Sequence, residues 1–166
     1  MKQVIWSGIT AAIAVLTMST PTFAQANVGT INVSVVVAAR AKLTLDTATI
    51  SFTDADPDVT PTLTSLAVGI DVKTRTSSDG PVTLTVQATG DLTSAGGDTI
   101  GINQLTWTTT GSNFVDGTSS SAAAQTIGSW TGPGNRNGTQ TYALPNSWSY
   151  ATGTYTTTLN YTLTAP

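Results

Sequence analysis

The chain has 166 residues, a formal net charge of −3, only 9% charged residues, and neither cysteine nor histidine. A mildly acidic chain with no basic patch argues against nucleic acid as a partner, and one without cysteine is held by pairing and packing alone, with no disulfide. Thirty-five residues are threonine, whose β-branch and hydroxyl suit the half-wet face of a pleated sheet.

Residues 1–26 read as an export signal that is cleaved. Lys2 supplies the positive start, and Val4 to Met18 is mostly apolar and uncharged, shorter than the ~20 residues that span a bilayer. Ala24-Gln25-Ala26 sets cleavage before Asn27, and Thr22-Phe23-Ala24 is a second option. The expectation is a secreted protein, extracellular or on the cell surface, passing through the periplasm if the cell is Gram-negative. No membrane insertion is expected after cleavage. Residues 27–166 then form a single domain, large enough for one core.

The mature chain opens on Gly29 to Arg40, where Ile31, Val33, Val35 and Val37 share one parity. Side chains alternate faces along a strand, so this is the expected first strand. Ala38 to Ala41 breaks the alternation, and Leu43 and Leu45 resume it; a kinked strand and two strands changing sheets at that corner both fit. Thr49 to Thr53 is a short third run with Ile50 and Phe52 inward. Leu66, Val68, Ile70 and Val72 alternate next, and Val82, Leu84, Val86 and Ala88 answer them across Ser78-Asp79-Gly80-Pro81. Asp-Gly favours the positive φ of tight turns, so the spacing predicts a hairpin.

Ile100 and Ile102 keep one parity while Leu105 and Trp107 keep the other, which a bulge near Asn103-Gln104 would absorb. A long polar loop carrying Phe114 leads to a strand over 125–130. Gly132 to Gly138 reads as a turn cluster, Thr139 to Leu144 as a strand, and Pro145 to Tyr150 as a crossing segment. The last fourteen residues alternate Tyr155, Leu159, Tyr161 and Leu163 against threonines and Asn160. The sum is an all-β chain, an antiparallel β-sandwich of immunoglobulin-like type with eight or nine strands. A jelly roll or small barrel is the alternative. A full terminal strand favours a self-complete sandwich.

Chemistry-bearing groups are few. Asp54, Asp56 and Asp58 fall at every second position, as in the first part of a calcium loop. Val59 and Ser65 stand where that loop needs Gly and Glu, so a looser calcium site competes with plain turn capping; no other cofactor is expected. Trp107 belongs with the core, whereas Trp130, Trp148 and Tyr150 abut loops and are candidates for stacking on a glycan. Acid–base work usually draws on His, Glu or a perturbed Asp, and only Asp is present among these in the mature part. With no Ser-x-x-Lys or Gly-x-Ser-x-Gly either, the reading is not an enzyme.

The ending Tyr155, then Tyr161-Thr162-Leu163 and Pro166, resembles the closing motif of the WxL family of bacterial surface domains, with Tyr in place of its Trp. Val82-Thr83-Leu84 occupies the place of that family's first Trp-x-Leu, again without Trp. The layout from residue 28 to 166 is also similar to secreted fimbrial and spore-coat-U-like domains, whose sandwiches polymerise by strand exchange and usually carry cysteines. The export signal, the threonine-rich strands and the alternating N-terminal segment make the expectation a non-enzymatic structural protein of the bacterial surface, a pilus- or coat-type subunit partnered by other surface proteins or copies of itself. The alternative is a module that binds cell-wall glycan or peptidoglycan. In the first reading residues 28–37 could add to a neighbour's sheet edge; the expected reading keeps them as the domain's own strand.

Overall fold

Alternation is strictest where the chain is most deeply buried. In β3 (Val68–Arg75), Val68, Ile70, Val72 and Thr74 are buried while Gly69, Asp71, Lys73 and Arg75 turn outward. In β4 (Pro81–Ala88), Val82, Leu84, Val86 and Ala88 are buried. Around these two lie β1 (Arg40–Leu45), β2 (Thr62–Thr64), β5 (Leu92–Thr93), β6 (Thr99–Ile100), β7 (Thr106–Thr110), β8 (Gly117–Thr118), β9 (Gln125–Thr131), β10 (Gly134–Pro145) and β11 (Leu159–Thr164). This computed structural model describes residues 29–166, so the expected export signal lies outside the described residues. Val36–Pro166 makes one compact unit.

The protein is all-β and antiparallel. One sheet has the order β1-β3-β10-β7-β8, with β2 on the far end of β10; the other has the order β11-β4-β9; β5 and β6 form a small ladder of their own. The two larger sheets pack face to face. Val72, Trp107 and Tyr142 of the first and Leu84, Val86 and Ile127 of the second are all buried in the core between them. With no disulfide available, burial of this apolar area, about 25 cal/mol per Å², is the main stabilising contribution.

Eleven strands among the described residues replace the eight or nine expected, because several are two- or three-residue pieces, and six further expectations change. The segment Ser78 to Pro81 does not close a hairpin. β3 lies between β1 and β10 in one sheet, and β4 between β11 and β9 in the other. Both strands already have two lateral neighbours, so they face each other across the core, and the turn is an arch between layers. Pro81 helps decide this: the residue before a proline is pushed to extended backbone, and Gly80 does not take positive φ. A second arch joins β9 to β10 through Gly132 at φ 75°. The two arches touch, the Gly132 N–H donating to the Gly80 carbonyl at 2.8 Å.

The expected turn cluster over Gly132 to Gly138 shrinks to that arch, because Gly134 to Gly138 pairs with Ile70 to Thr74. The parity change near Asn103 is absorbed by a single 3-10 turn, Ile102–Gln104, and no bulge is needed there; the bulge falls between Leu84 and Thr85. Leu66 is exposed: Ser65 is buried in its stead, its hydroxyl accepting the Tyr142 N–H at 3.0 Å. Ile50 and Phe52 do pack on the core, but from a segment that is not a strand.

The largest correction concerns the expected first strand. No residue from Gly29 to Ala39 is in a strand, and Ile31, Val33, Val35 and Val37 are 88%, 85%, 78% and 63% exposed.

Two indoles rest on glycines. A Cβ on Gly128 would overlap Cη2 of Trp130, and one on Gly117 would come within 2.5 Å of Cζ2 of Trp107. Gly128→Ala is therefore expected to destabilise the domain by roughly 1–3 kcal/mol, the usual cost of overpacking. Urea denaturation followed by tryptophan fluorescence measures this. Gly90→Ala, which meets nothing within 4 Å, leaves the midpoint unmoved.

Candidate functional site

Among the described residues the sandwich is closed on one long side, where the Val115 N–H donates to the Ile127 carbonyl of β9 at 2.7 Å, and open on the other. Among the described residues β11 pairs only with β4, and β1 only with β3, so each has one edge of backbone N–H and C=O groups with no ladder partner among those residues. The two edge strands come against each other across the layers. Their inward side chains are only half-buried: Leu43 and Leu45 from β1, and Leu159, Tyr161, Leu163 and Ala165 along β11. The matching positions of β3 and β4 are almost fully buried. The difference is what a missing neighbour produces, since an inward residue on an edge strand lacks cover from one side.

One polar chain crosses this side of the core. The Tyr161 hydroxyl donates to Gln140 Oε1 at 2.8 Å and lies 2.7 Å from the Tyr142 hydroxyl. A phenol has one proton. Tyr161 uses its own on Gln140, so Tyr142 is the donor to Tyr161. The chain ties the edge strand β11 to β10 in the opposite sheet. Burial raises the Tyr142 pKa, and the neighbouring Tyr161 raises it further by charge repulsion and by accepting its hydrogen bond. Burial also raises that of Tyr161, against a smaller opposing effect of the bond received from Tyr142. Gln140 Nε2 is buried without a partner among the described residues. Sequence reasoning missed this network; the available signal was a glutamine on the inward parity of Tyr142 and Leu144.

The residues singled out from sequence fall in different surroundings. Trp107 is core, in edge contact with Tyr142 at 6.1 Å. Trp130 is buried as well: its indole N–H donates to the Ser112 carbonyl at 2.9 Å, Phe114 packs edge-on at 4.9 Å, and the Arg136 guanidinium lies 5.7 Å from the ring centre. Tyr150 is half-buried against the core. Trp148 stands apart, 71% exposed, its indole N–H donating to Asp58 Oδ1 at 3.2 Å. In the loop that holds Asp54, Asp56 and Asp58, Asp56 Oδ1 accepts the Asp58 N–H at 2.9 Å. Among the described residues no three acidic groups gather as a metal site would require.

Comparison of the chain with protein-family models finds no match, and neither does comparison with curated proteins.

The tyrosine pair gives a pH signature. The folded state holds both phenols neutral above their ordinary pKa near 10, whereas the unfolded chain ionises there. The stabilisation is complete below about pH 10 and is lost as pH rises beyond it. Tyr161→Phe leaves the Tyr142 hydroxyl and Gln140 Oε1 unpaired and is expected to cost about 1–3 kcal/mol at neutral pH. Urea midpoints at neutral and alkaline pH measure both effects, and the alkaline loss should be smaller in the variant.

Proposed function

We propose that the protein is a secreted, non-enzymatic structural subunit of the bacterial cell surface that assembles with copies of itself. The observation that carries this reading is the exposed apolar alternation of Ile31, Val33, Val35 and Val37 ahead of β1. Exposing four such side chains forgoes about 1.5–3 kcal/mol apiece that burial would return. The open side supplies a complementary surface. β11 and its extension present four half-buried residues over seven positions, Leu159 to Ala165, and the segment presents four over seven, residues 31–37. An added strand there would satisfy the free edge and cover the side of the core.

Chain direction favours a second copy as the source of that strand. Arg40, the start of β1, pairs with Arg75, and Thr164, the end of β11, pairs with Thr83. Both lie at the end of the sandwich where the Ser77–Gly80 arch turns. A segment preceding Arg40 would have to reverse within Ala38-Ala39 to lie along its own β11. Two-residue reversals favour Gly, Asn or Asp, and the two-residue arch between β9 and β10 uses Gly132 at positive φ, whereas positions 38 and 39 are both alanine. We also infer that the sandwich is of immunoglobulin-like type, on the support of its antiparallel pairing and the two arches that carry the chain between sheets.

Removal of Asn27 to Val37 is expected to leave a folded monomer, by circular dichroism and sedimentation, while the mature chain forms oligomers or filaments under the electron microscope. Val33→Asp with Val35→Asp should have the same effect without shortening the chain. A deletion variant that unfolds would make the segment the domain's own strand and overturn the reading.

A further inference from the structure

Apart from the segment before β1, the exposed large apolar side chains among the described residues are Val59, Leu66, Val115 and Trp148; Trp148 carries the largest ring, and the fold holds it in place. It occupies the second position of a turn closed by the Tyr150 N–H on the Ser147 carbonyl at 3.2 Å. The Ser147 hydroxyl accepts the Ser149 N–H at 3.1 Å and lies 2.8 Å from the Ser149 hydroxyl. Asn146 then clamps this turn to the loop that carries Asp58, its amide donating to the carbonyls of Ala55 at 2.9 Å and Thr60 at 3.0 Å. Its own N–H donates to the Pro61 carbonyl at 2.8 Å. Across this clamp Asp58 Oδ1 fixes the indole through its N–H. The ring is thus oriented at its polar edge while most of its surface stays in solvent.

We propose that Trp148 and Asp58 form a saccharide-binding site, the ring face stacking on the apolar C–H face of a pyranose. The negative face of an indole attracts such polarised C–H groups. Asp58 keeps its second carboxylate oxygen to accept a sugar hydroxyl, and the Ser147 and Ser149 hydroxyls flank the ring in sequence. The clamp places the ring before the ligand arrives, which reduces the ordering cost of binding. A protein partner would be better served by a pocket or an apolar patch around the ring. Here the turn residues beside it in sequence carry an amide and two hydroxyls, the group bonded to it is a carboxylate, and on the clamped loop Val59 alone is an exposed large apolar side chain. This site is independent of the assembly reading and lies outside the segment and edges that reading uses. In an assembled array each copy would repeat the site, so weak single contacts would sum.

The test is a fluorescence titration of the full mature chain with three soluble probes: cellohexaose, N-acetylchitohexaose and mannohexaose. Trp107 and Trp130 are buried, so acrylamide quenching reports mainly on Trp148. At least one probe is expected to protect the indole saturably and shift its emission to the blue. Trp148→Ala should weaken binding of that probe, followed by calorimetry, at least roughly tenfold, about 1.4 kcal/mol. Trp148→Tyr should retain part of it, and Asp58→Ala should weaken it several-fold, with thermal midpoints of all three within a few degrees of the parent. Failure of all three probes to protect the indole overturns the site, as does binding that survives Trp148→Ala. Loss of self-association in Trp148→Ala, with no sugar bound by the parent, would assign the ring to a subunit interface instead.

Discussion

Backbone pairing at the edges of the sandwich is the constraint on which the rest of this structure turns. A chain without cysteine and with few charges relies mainly on ladder hydrogen bonds within each sheet and on apolar burial between the two. The interior strands β3, β4 and β10 meet both demands and bury their inward residues almost completely. β1 and β11 meet them on one flank only. Their inward leucines and tyrosine remain half-covered, and it is here that Tyr142, Tyr161 and Gln140 cross the core. Two phenols and an amide in series give an edge strand a specific attachment to the opposite sheet, where apolar contact alone would be incomplete.

The two arches explain why the open side lies where it does. Because β3 passes to β4, and β9 to β10, by changing layers, neither pair forms a hairpin. The chain therefore enters the sandwich on the edge of one sheet, as β1, and reaches β11 on the facing edge of the other. Arg40, where β1 starts, and the stretch ending at Pro166 lie toward the same end of the sandwich, and the Thr76 hydroxyl donates to the Pro166 carbonyl there. A strand added along β11 from another molecule would use backbone groups that the domain itself leaves without partners, which is why the proposed assembly needs no new pocket.

Structural aromatics and the candidate binding aromatic separate by what their polar atoms do. Trp107 and Trp130 donate to the carbonyls of Val115 and Ser112 and are buried around those bonds, each against a glycine that leaves room for its ring. Trp148 donates to a side chain on a neighbouring loop and stays exposed. The same residue type thus serves packing in two places and display in a third. Asp58, for which the sequence leaves a looser calcium site and plain turn capping open, accepts the hydrogen bond of that indole.

Much of the architecture was legible in the residues. Period-two alternation in 68–74, 82–88 and 159–163 determined strands and inward faces, because burial on a pleated sheet acts at every second side chain. The all-β class and antiparallel sandwich followed from their number and spacing. What alternation does not carry is which strand a neighbour lies beside, so Ser78 to Pro81 resembled a hairpin and became an arch. Nor does it say whether a run with that pattern is used within its own domain: Ile31, Val33, Val35 and Val37 keep one parity as the inward residues of β3 do, yet no residue from Gly29 to Ala39 is in a strand. Trp148 and Asp58, ninety residues apart, had no shared signal at all. Their meeting depends on Asn146 joining two loops, and a contact of that range exists only once the chain has folded.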